Sequence, residues 1–301
     1  MINRLRPLLL AALCLFAAPA AEAHRHGPGP AAVPPYVSTT DLSAPVKAAL
    51  AARAAGHRVI AVFDIDNTLL TMPQDLGSDT WFNWQRLEHP GAFGQVLIDN
   101  GMLLQLAEMQ PTQPDGPALL RSLQTAGIPV YALSARSPEL RGPTEQALQR
   151  AGIDLSAAPD CGRPLCVRRG HLNDAQIRAA GHRLHMVLPE APLRAVTVSD
   201  GVMMVAGQDK GVMLHLLLAS LKGRYDDVFF VDDTFQNITD VRAAAPAIRA
   251  RVHAYSYERF WSDAKAFMTD GARQAKADGE MVKLKAGICG AIEAAVCLDK
   301  Q

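Results

Sequence analysis

An α/β fold, with a mainly parallel sheet covered by helices on both faces, follows from three observations on this sequence. Short apolar runs recur at Val59–Val62, Val130–Leu133 and Val228–Val231, separated by segments with helical periodicity. Each run leads into polar residues: Phe63-Asp64-Ile65-Asp66-Asn67-Thr68, Ser134 and Asp232-Asp233. Strands alternating with helices cannot pair as hairpins, and they bury both faces of the sheet they form.

The elements follow in order. Residues 1–23 read as a secretory leader. Arg4 and Arg6 give a basic start, Leu8 to Ala18 an apolar core, and Ala18-Pro19-Ala20 and Ala21-Glu22-Ala23 are small-x-small cleavage sites. The apolar stretch is too short for a comfortable membrane span, and Leu13 before Cys14 disfavours lipidation. The expected location is exported, periplasmic or secreted. Residues 24–40, rich in Pro and Gly, read as an extended arm. If cleavage follows Ala23, the His24-Arg25-His26 start could hold Cu(II) or Ni(II), but a solvated tail is the preferred reading.

A helix is expected from about Asp41, with Asp41 or Ser43 as cap and Leu42, Val46 and Leu50 on one face. The first strand spans about Arg58–Asp64. Leu69–Gln113 then breaks the alternation with aromatics and amides, and reads as an insert. Beyond it come helix Asp115–Ala126, strand Pro129–Leu133 and helix Pro138–Ala151, which Gly152 stops. Residues 153–194 read as an irregular insert. Val196–Val198 and Val202–Val205 flank Asp200-Gly201, a hairpin signal. Helix Lys210–Leu221, strand Asp227–Val231, helix Phe235–Ala244 and a strand near Ala250–Tyr255 complete the main domain, residues 41–256. Residues 257–301 read as a helical extension.

Composition bounds the function. The 301 residues are 49% hydrophobic, enough for one substantial core. Net charge is zero, and about −1 without the leader, so there is no electrostatic case for nucleic acid. After the leader, Cys161, Cys166, Cys289 and Cys297 remain, an even number that fits disulfides in an exported chain. Gly162 and Pro164 make Cys161–Cys166 the preferred pair. Zinc on Cys161, Cys166 and His171 is a competing reading, but the spacing matches no standard finger or ribbon.

The chemistry centres on Asp64 and Asp66. Two carboxylates this close repel each other unless a cation compensates. A strand ending Asp-x-Asp-x-Thr therefore asks for a divalent metal and an electrophile. Ser134, Lys210 and Asp232-Asp233 follow, each at a strand end or helix start, the edge of an open α/β sheet where ligands bind.

These four motifs, in this order, resemble those of the haloacid dehalogenase superfamily of phosphohydrolases. Leu76–Trp84 and Ser134–Leu140 are similar to an exported bacterial branch of it. The resemblance covers about residues 58–256. It implies a Rossmann-like, doubly wound sheet with a small helical cap at about residues 69–113, acting on a small phosphorylated substrate with Mg²⁺. Asp64 is then the nucleophile, forming an aspartyl-phosphate, and Asp66 the acid and base. Asp64, Asp66, Asp232 and Asp233 would serve the metal, the Asp66 backbone carbonyl included. Thr68, Ser134 and Lys210 would hold phosphoryl oxygens.

Asp66 favours phosphate esters over carbon–halogen bonds, since a halide leaving group needs no acid. No Lys lies between Leu69 and Gln113 to form the Schiff base of a phosphonate hydrolase. In the insert, Trp81, Phe82 and Trp84 either line the entrance or form its own core, and Arg86 could meet a carboxylate or second phosphate. Arg136, two residues past Ser134, could bind an anionic substrate. A second class of function stays open at this level: an exported binding or surface protein that keeps the fold without catalysis.

Overall fold

The computed structural model describes residues 34–159 and 171–291. The leader, most of the arm with His24 and His26, Cys161 and Cys166 with their preferred pairing, and Cys297 lie outside the described residues.

In chain order the elements are β1 (Tyr36–Thr39), α1 (Ser43–Ala54), β2 (Val59–Phe63), β3 (Leu70–Thr71), α2 (Asp79–Glu88), α3 (Phe93–Leu106) and β4 (Gln110–Pro111). Next come α4 (Gly116–Thr125), β5 (Val130–Ser134), α5 (Arg141–Arg150), α6 (Asp174–Arg183), β6 (Thr197–Ser199), β7 (Val202–Met204) and α7 (Lys210–Ser220). The chain closes with β8 (Asp227–Asp232), α8 (Phe235–Ala244), β9 (Arg251–Tyr257), α9 (Trp261–Thr269) and α10 (Gly271–Ala291).

Seven strands form one sheet in the order β1-β9-β8-β2-β5-β7-β6. Every pair in it is parallel except β6 with β7. That hairpin turns at Asp200-Gly201, both with positive φ, as a tight two-residue connection requires. β2 sits between β5 and β8, so the chain winds outward to one side of β2 and then returns to the other. The carboxyl ends of those strands surround such a switch point, where open α/β sheets bind ligands.

Period-2 side-chain placement divides the core in two. Val59, Ala61 and Phe63 of β2 face one layer with Val130 and Ala132 of β5, packed against Val46, Leu120 and Leu148 of α1, α4 and α5. Ile60 and Val62 face the other, with Tyr131, Val228 and Phe230, packed against Ile177, Leu214 and Ile238 of α6, α7 and α8. Both faces are thus covered, which is why these strands read as unbroken apolar runs.

The structure adds elements that the sequence did not suggest. Residues 36–39, expected within the extended arm, form β1 and pair in parallel with β9, Tyr36 opposite Ala254. The span 153–194, expected to be irregular, contains α6. A capping box starts it: Asn173 Oδ1 accepts from Gln176 N at 3.0 Å, and Gln176 Oε1 accepts from Asn173 N at 2.9 Å.

The insert after β2 is helical. β3 and β4 pair antiparallel at its base, and α2 and α3 stand on that ribbon. A third core fills the space above, joining Leu76, Trp81, Trp84 and Leu103 of the insert to Phe267, Ala277 and Met281 of α9 and α10. The C-terminal extension is therefore packed on the insert rather than trailing from the domain.

Candidate active site

Asp64 directly follows β2, with its backbone N–H on the Val231 carbonyl at 2.9 Å. The turn beyond it bends sharply, because Leu69 and Leu70 both donate to the Ile65 carbonyl at 2.9 Å and Asn67 adopts a left-handed φ of 53°. Asn tolerates that region better than most residues. The turn returns Asp66 toward the same strand edge.

Lys210 is the first residue of α7, where the helix dipole disfavours a cation. Two carboxylates reverse that penalty: its Nζ lies 2.6 Å from Asp64 Oδ1 and 2.7 Å from Asp232 Oδ2. Burial alone would lower its pKa, but Asp232 and Asp64 outweigh this and hold it above the usual ammonium range. Gly211 lets α7 approach α8 at this point, since a Cβ there would sit 2.2 Å from the Asp240 carbonyl oxygen. Asp232 is fixed on its other oxygen by Thr234 N and Asn237 Nδ2, both at 2.9 Å.

Asp64, Asp232 and Asp233 bring carboxylate oxygens within 4.8 Å of one another. Burial pushes the Asp64 carboxyl up to about 8 against the pull of Lys210, with Asp232 and Asp66 adding to the rise. Asp233 is driven well above the ordinary carboxylate range, first by burial and then by the charge of Asp79. These residues fit a hard divalent cation, which accepts oxygen donors and would relieve the crowding that raises them. Lys210 uses one oxygen of Asp64 and one of Asp232, and a carboxylate offers about four lone-pair sites.

Asp66 is held apart from that cluster. Arg136 grips it with Nε to Oδ2 at 2.9 Å and Nη2 to Oδ1 at 2.7 Å. Arg136 is itself buried, and its Nη1 donates to Thr144 Oγ1 at 2.9 Å. The guanidinium, expected to meet substrate, is thus directed onto Asp66. Ser134 is buried at the end of β5, its Oγ accepting from Arg136 N at 3.2 Å. Thr68 Oγ1 is buried with no hydrogen-bond partner among the described residues.

A family model described as "Protein of unknown function (DUF2608)" matches residues 39–280. The chain belongs to the DUF2608 family. A search of curated proteins gave no match. Among solved structures, the DUF2608 chain is similar to the class C acid phosphatase from Bacillus anthracis, with 13% identity and a TM-score of 0.36, over 79% of this chain and 89% of that one. A likeness at that score bears on neither fold nor activity.

In this DUF2608 chain the insert aromatics are mainly packing groups. Trp81 and Trp84 lie in the third core, Trp84 edge-on to Phe267 with centroids 5.8 Å apart. Arg86 is exposed near the far end of α2. Asp79 is an insert carboxylate close enough to the site to feel the charges of Asp66, Lys210 and Asp232, and sequence reasoning assigned it no role. It opens α2 beside the cap Ser78, whose Oγ accepts from Trp81 N at 3.1 Å, and its Oδ2 accepts from Asn83 at 2.9 Å. Burial first, then the charge on Asp66, push Asp79 up to about 7. The helix-start pattern Ser78-Asp79 was legible, but not that this helix end faces the strand edge. A surface groove lined by Glu145, Leu148, Asp154 and Val202 lies at the opposite, amino-terminal edge of the sheet and holds none of these residues.

Proposed function

We propose that this chain is a Mg²⁺-dependent phosphomonoester hydrolase of the haloacid dehalogenase type, acting on a small phosphorylated substrate through an aspartyl-phosphate. The observation that carries the reading is the buried bridge Asp64–Lys210–Asp232 beside a separately held Asp66. One carboxylate, Asp64, is fixed at a strand end as one of three clustered carboxylates that could hold a cation, and a second, Asp66, stands two residues on in a different environment. Two carboxylates with different surroundings suit two roles.

In this reading an Asp64 oxygen attacks phosphorus, and the bond from phosphorus to the ester oxygen breaks. Asp66 gives that oxygen its proton. Water then attacks the phosphorus of the aspartyl-phosphate, its proton passing to Asp66, and inorganic phosphate leaves with Asp64 restored. Asp64, Asp232 and Asp233 would hold the cation, with the Asp66 carbonyl as a further donor. The cation supplies positive charge that keeps Asp64 ionised and offsets charge on the phosphoryl group. Lys210 keeps Asp64 and Asp232 in register, Arg136 orients Asp66, and the hydroxyls of Ser134 and Thr68 are the remaining donors toward phosphoryl oxygens. The unpartnered Thr68 hydroxyl supports this last role.

Export belongs to the same proposal. It is supported by the basic and apolar leader and by Cys289, which is disulfide-bonded. No helix among the described residues is long and apolar enough to cross a membrane.

The test is a panel of phosphate monoesters assayed with Mg²⁺ and with EDTA. Hydrolysis of at least one ester that EDTA abolishes and Mg²⁺ restores is the expected result. No hydrolysis across nucleotide, sugar, amino-alcohol and aryl phosphates at saturating Mg²⁺ would count against it.

A further inference from the structure

The C-terminal extension reaches the acidic cluster at one point. Trp261, the first residue of α9, donates its indole Nε1–H to the backbone carbonyl of Asp233 at 2.7 Å. Asp233 begins the short connection between β8 and α8, and its carboxylate is one of the three that could hold a cation. The peptide carrying Asp233 is thus pinned from both sides. Asp232 is tied to Thr234 N and Asn237 on the α8 side, and Trp261 holds the carbonyl from the extension.

The helix that carries Trp261 is itself anchored. Arg273 of α10 bonds Asp263, the third residue of α9, at 3.0 Å, and Asp75 at the root of the insert at 3.0 Å. Asp278 of α10 accepts from Gln85 of α2 at 2.6 Å, and Lys285 lies 3.0 Å from Asp99 of α3. Phe267 of α9 is buried in the third core. A helix anchored in this way fixes the backbone from which the Trp261 indole reaches the Asp233 carbonyl.

We propose that Trp261 is a positioning residue for the divalent cation: its indole N–H fixes the Asp233 peptide, so that the C-terminal extension is part of the metal site. This rests on the metal-dependent reading above. Trp261 is 39% exposed, whereas Trp81 and Trp84 are 2% and 8% exposed, so the indole at the site is distinguishable from the two in the core. Phe at this position keeps the ring and removes the donor. His keeps a ring N–H.

The test is isothermal titration calorimetry of Mg²⁺ into the full mature chain without substrate, for wild type, Trp261→Phe and Trp261→His. Trp261→Phe weakens Mg²⁺ binding by about tenfold, the usual scale for losing a group that orients a metal ligand. Trp261→His recovers most of it, and the metal-free melting temperatures of all three stay close. Equal Mg²⁺ affinity in wild type and Trp261→Phe overturns the role of Trp261 while leaving the metal reading intact. A wild-type chain that binds no Mg²⁺ overturns both. Indole ¹⁵N–¹H spectra of the wild type give a second readout that needs no variant. The resonance of the solvent-exposed indole shifts on Mg²⁺ addition and the two buried ones do not; no shift in the exposed indole overturns the proposal.

Discussion

Arg136 and Asp66 form a two-pronged pair, 2.9 Å and 2.7 Å, between the end of β5 and the turn after β2. Residues 70 positions apart in the chain are thus joined across neighbouring strands. The planar fork of a guanidinium matches both oxygens of a carboxylate, which fixes the direction of Asp66 as well as its distance. Because Arg136 also bonds Thr144 and is buried, it acts on the site through Asp66.

Arg136→Lys should therefore be poorly tolerated despite keeping the charge, since a point ammonium cannot hold both oxygens. For any ester hydrolysed by the wild type, kcat should fall by about 10²-fold, the scale of a misplaced acid–base group. The loss should be smallest for aryl esters, whose leaving groups need little protonation. Comparing kcat for an aryl and an alkyl phosphate checks this, and equal losses for both would remove Arg136 from acid–base orientation.

Asp64→Asn is nearly isosteric and keeps the strand end intact. Turnover should drop by about 10⁴-fold or more, as for loss of a covalent nucleophile. Its circular dichroism should match that of wild type. Wild-type rates in the variant would reassign the nucleophile.

Asp66→Asn separates the two half-reactions. With an aryl phosphate the first step proceeds without an acid, but water attack on the intermediate lacks its base. Mass spectrometry after an acid quench should then find phosphate on the peptide containing Asp64. Phosphate on another peptide, or a product burst with no adduct, is the opposing result.

The raised carboxyls also make stability depend on pH in a defined direction. Asp64 at about 8 and Asp79 at about 7 stay protonated in the metal-free fold where the unfolded chain has already ionised. The fold then binds more protons than the unfolded chain, so stability falls as pH rises from about 4 to about 8 and levels above that. Thermal melting of EDTA-treated protein should show this decline. Mg²⁺, bound only by the folded state, should raise the melting temperature more at pH 8 than at pH 5. Asp79→Asn should flatten part of the decline between about pH 4 and 7. A metal-free melting temperature that rises across that window would contradict the burial of these groups.

Much of this molecule is written locally. The runs 59–62, 130–133 and 228–231 are apolar at every position because a doubly covered sheet buries both faces of a strand, and that needs only neighbouring residues to be read. Asp64, Ser134, Lys210 and Asp232-Asp233 stand out for the same reason: each interrupts an apolar run or opens a helix at a place where a polar group needs an explanation. The Asn173–Gln176 capping box was also local, and its helix was legible in principle. What only the tertiary structure decided is where side chains with several outlets went. Arg136 was expected to meet an anionic substrate, and the meeting of two strand ends placed it on Asp66 instead. Trp81 and Trp84 had a pocket or a core, and burial against Phe267 and Met281, nearly 200 residues later, settled them in the core. Asp79 and Trp261 carry no signal of their own in the sequence. A carboxylate at a helix start and an indole in a polar segment are ordinary features, and they acquire meaning only when folding brings the insert and the C-terminal extension to the same strand edge.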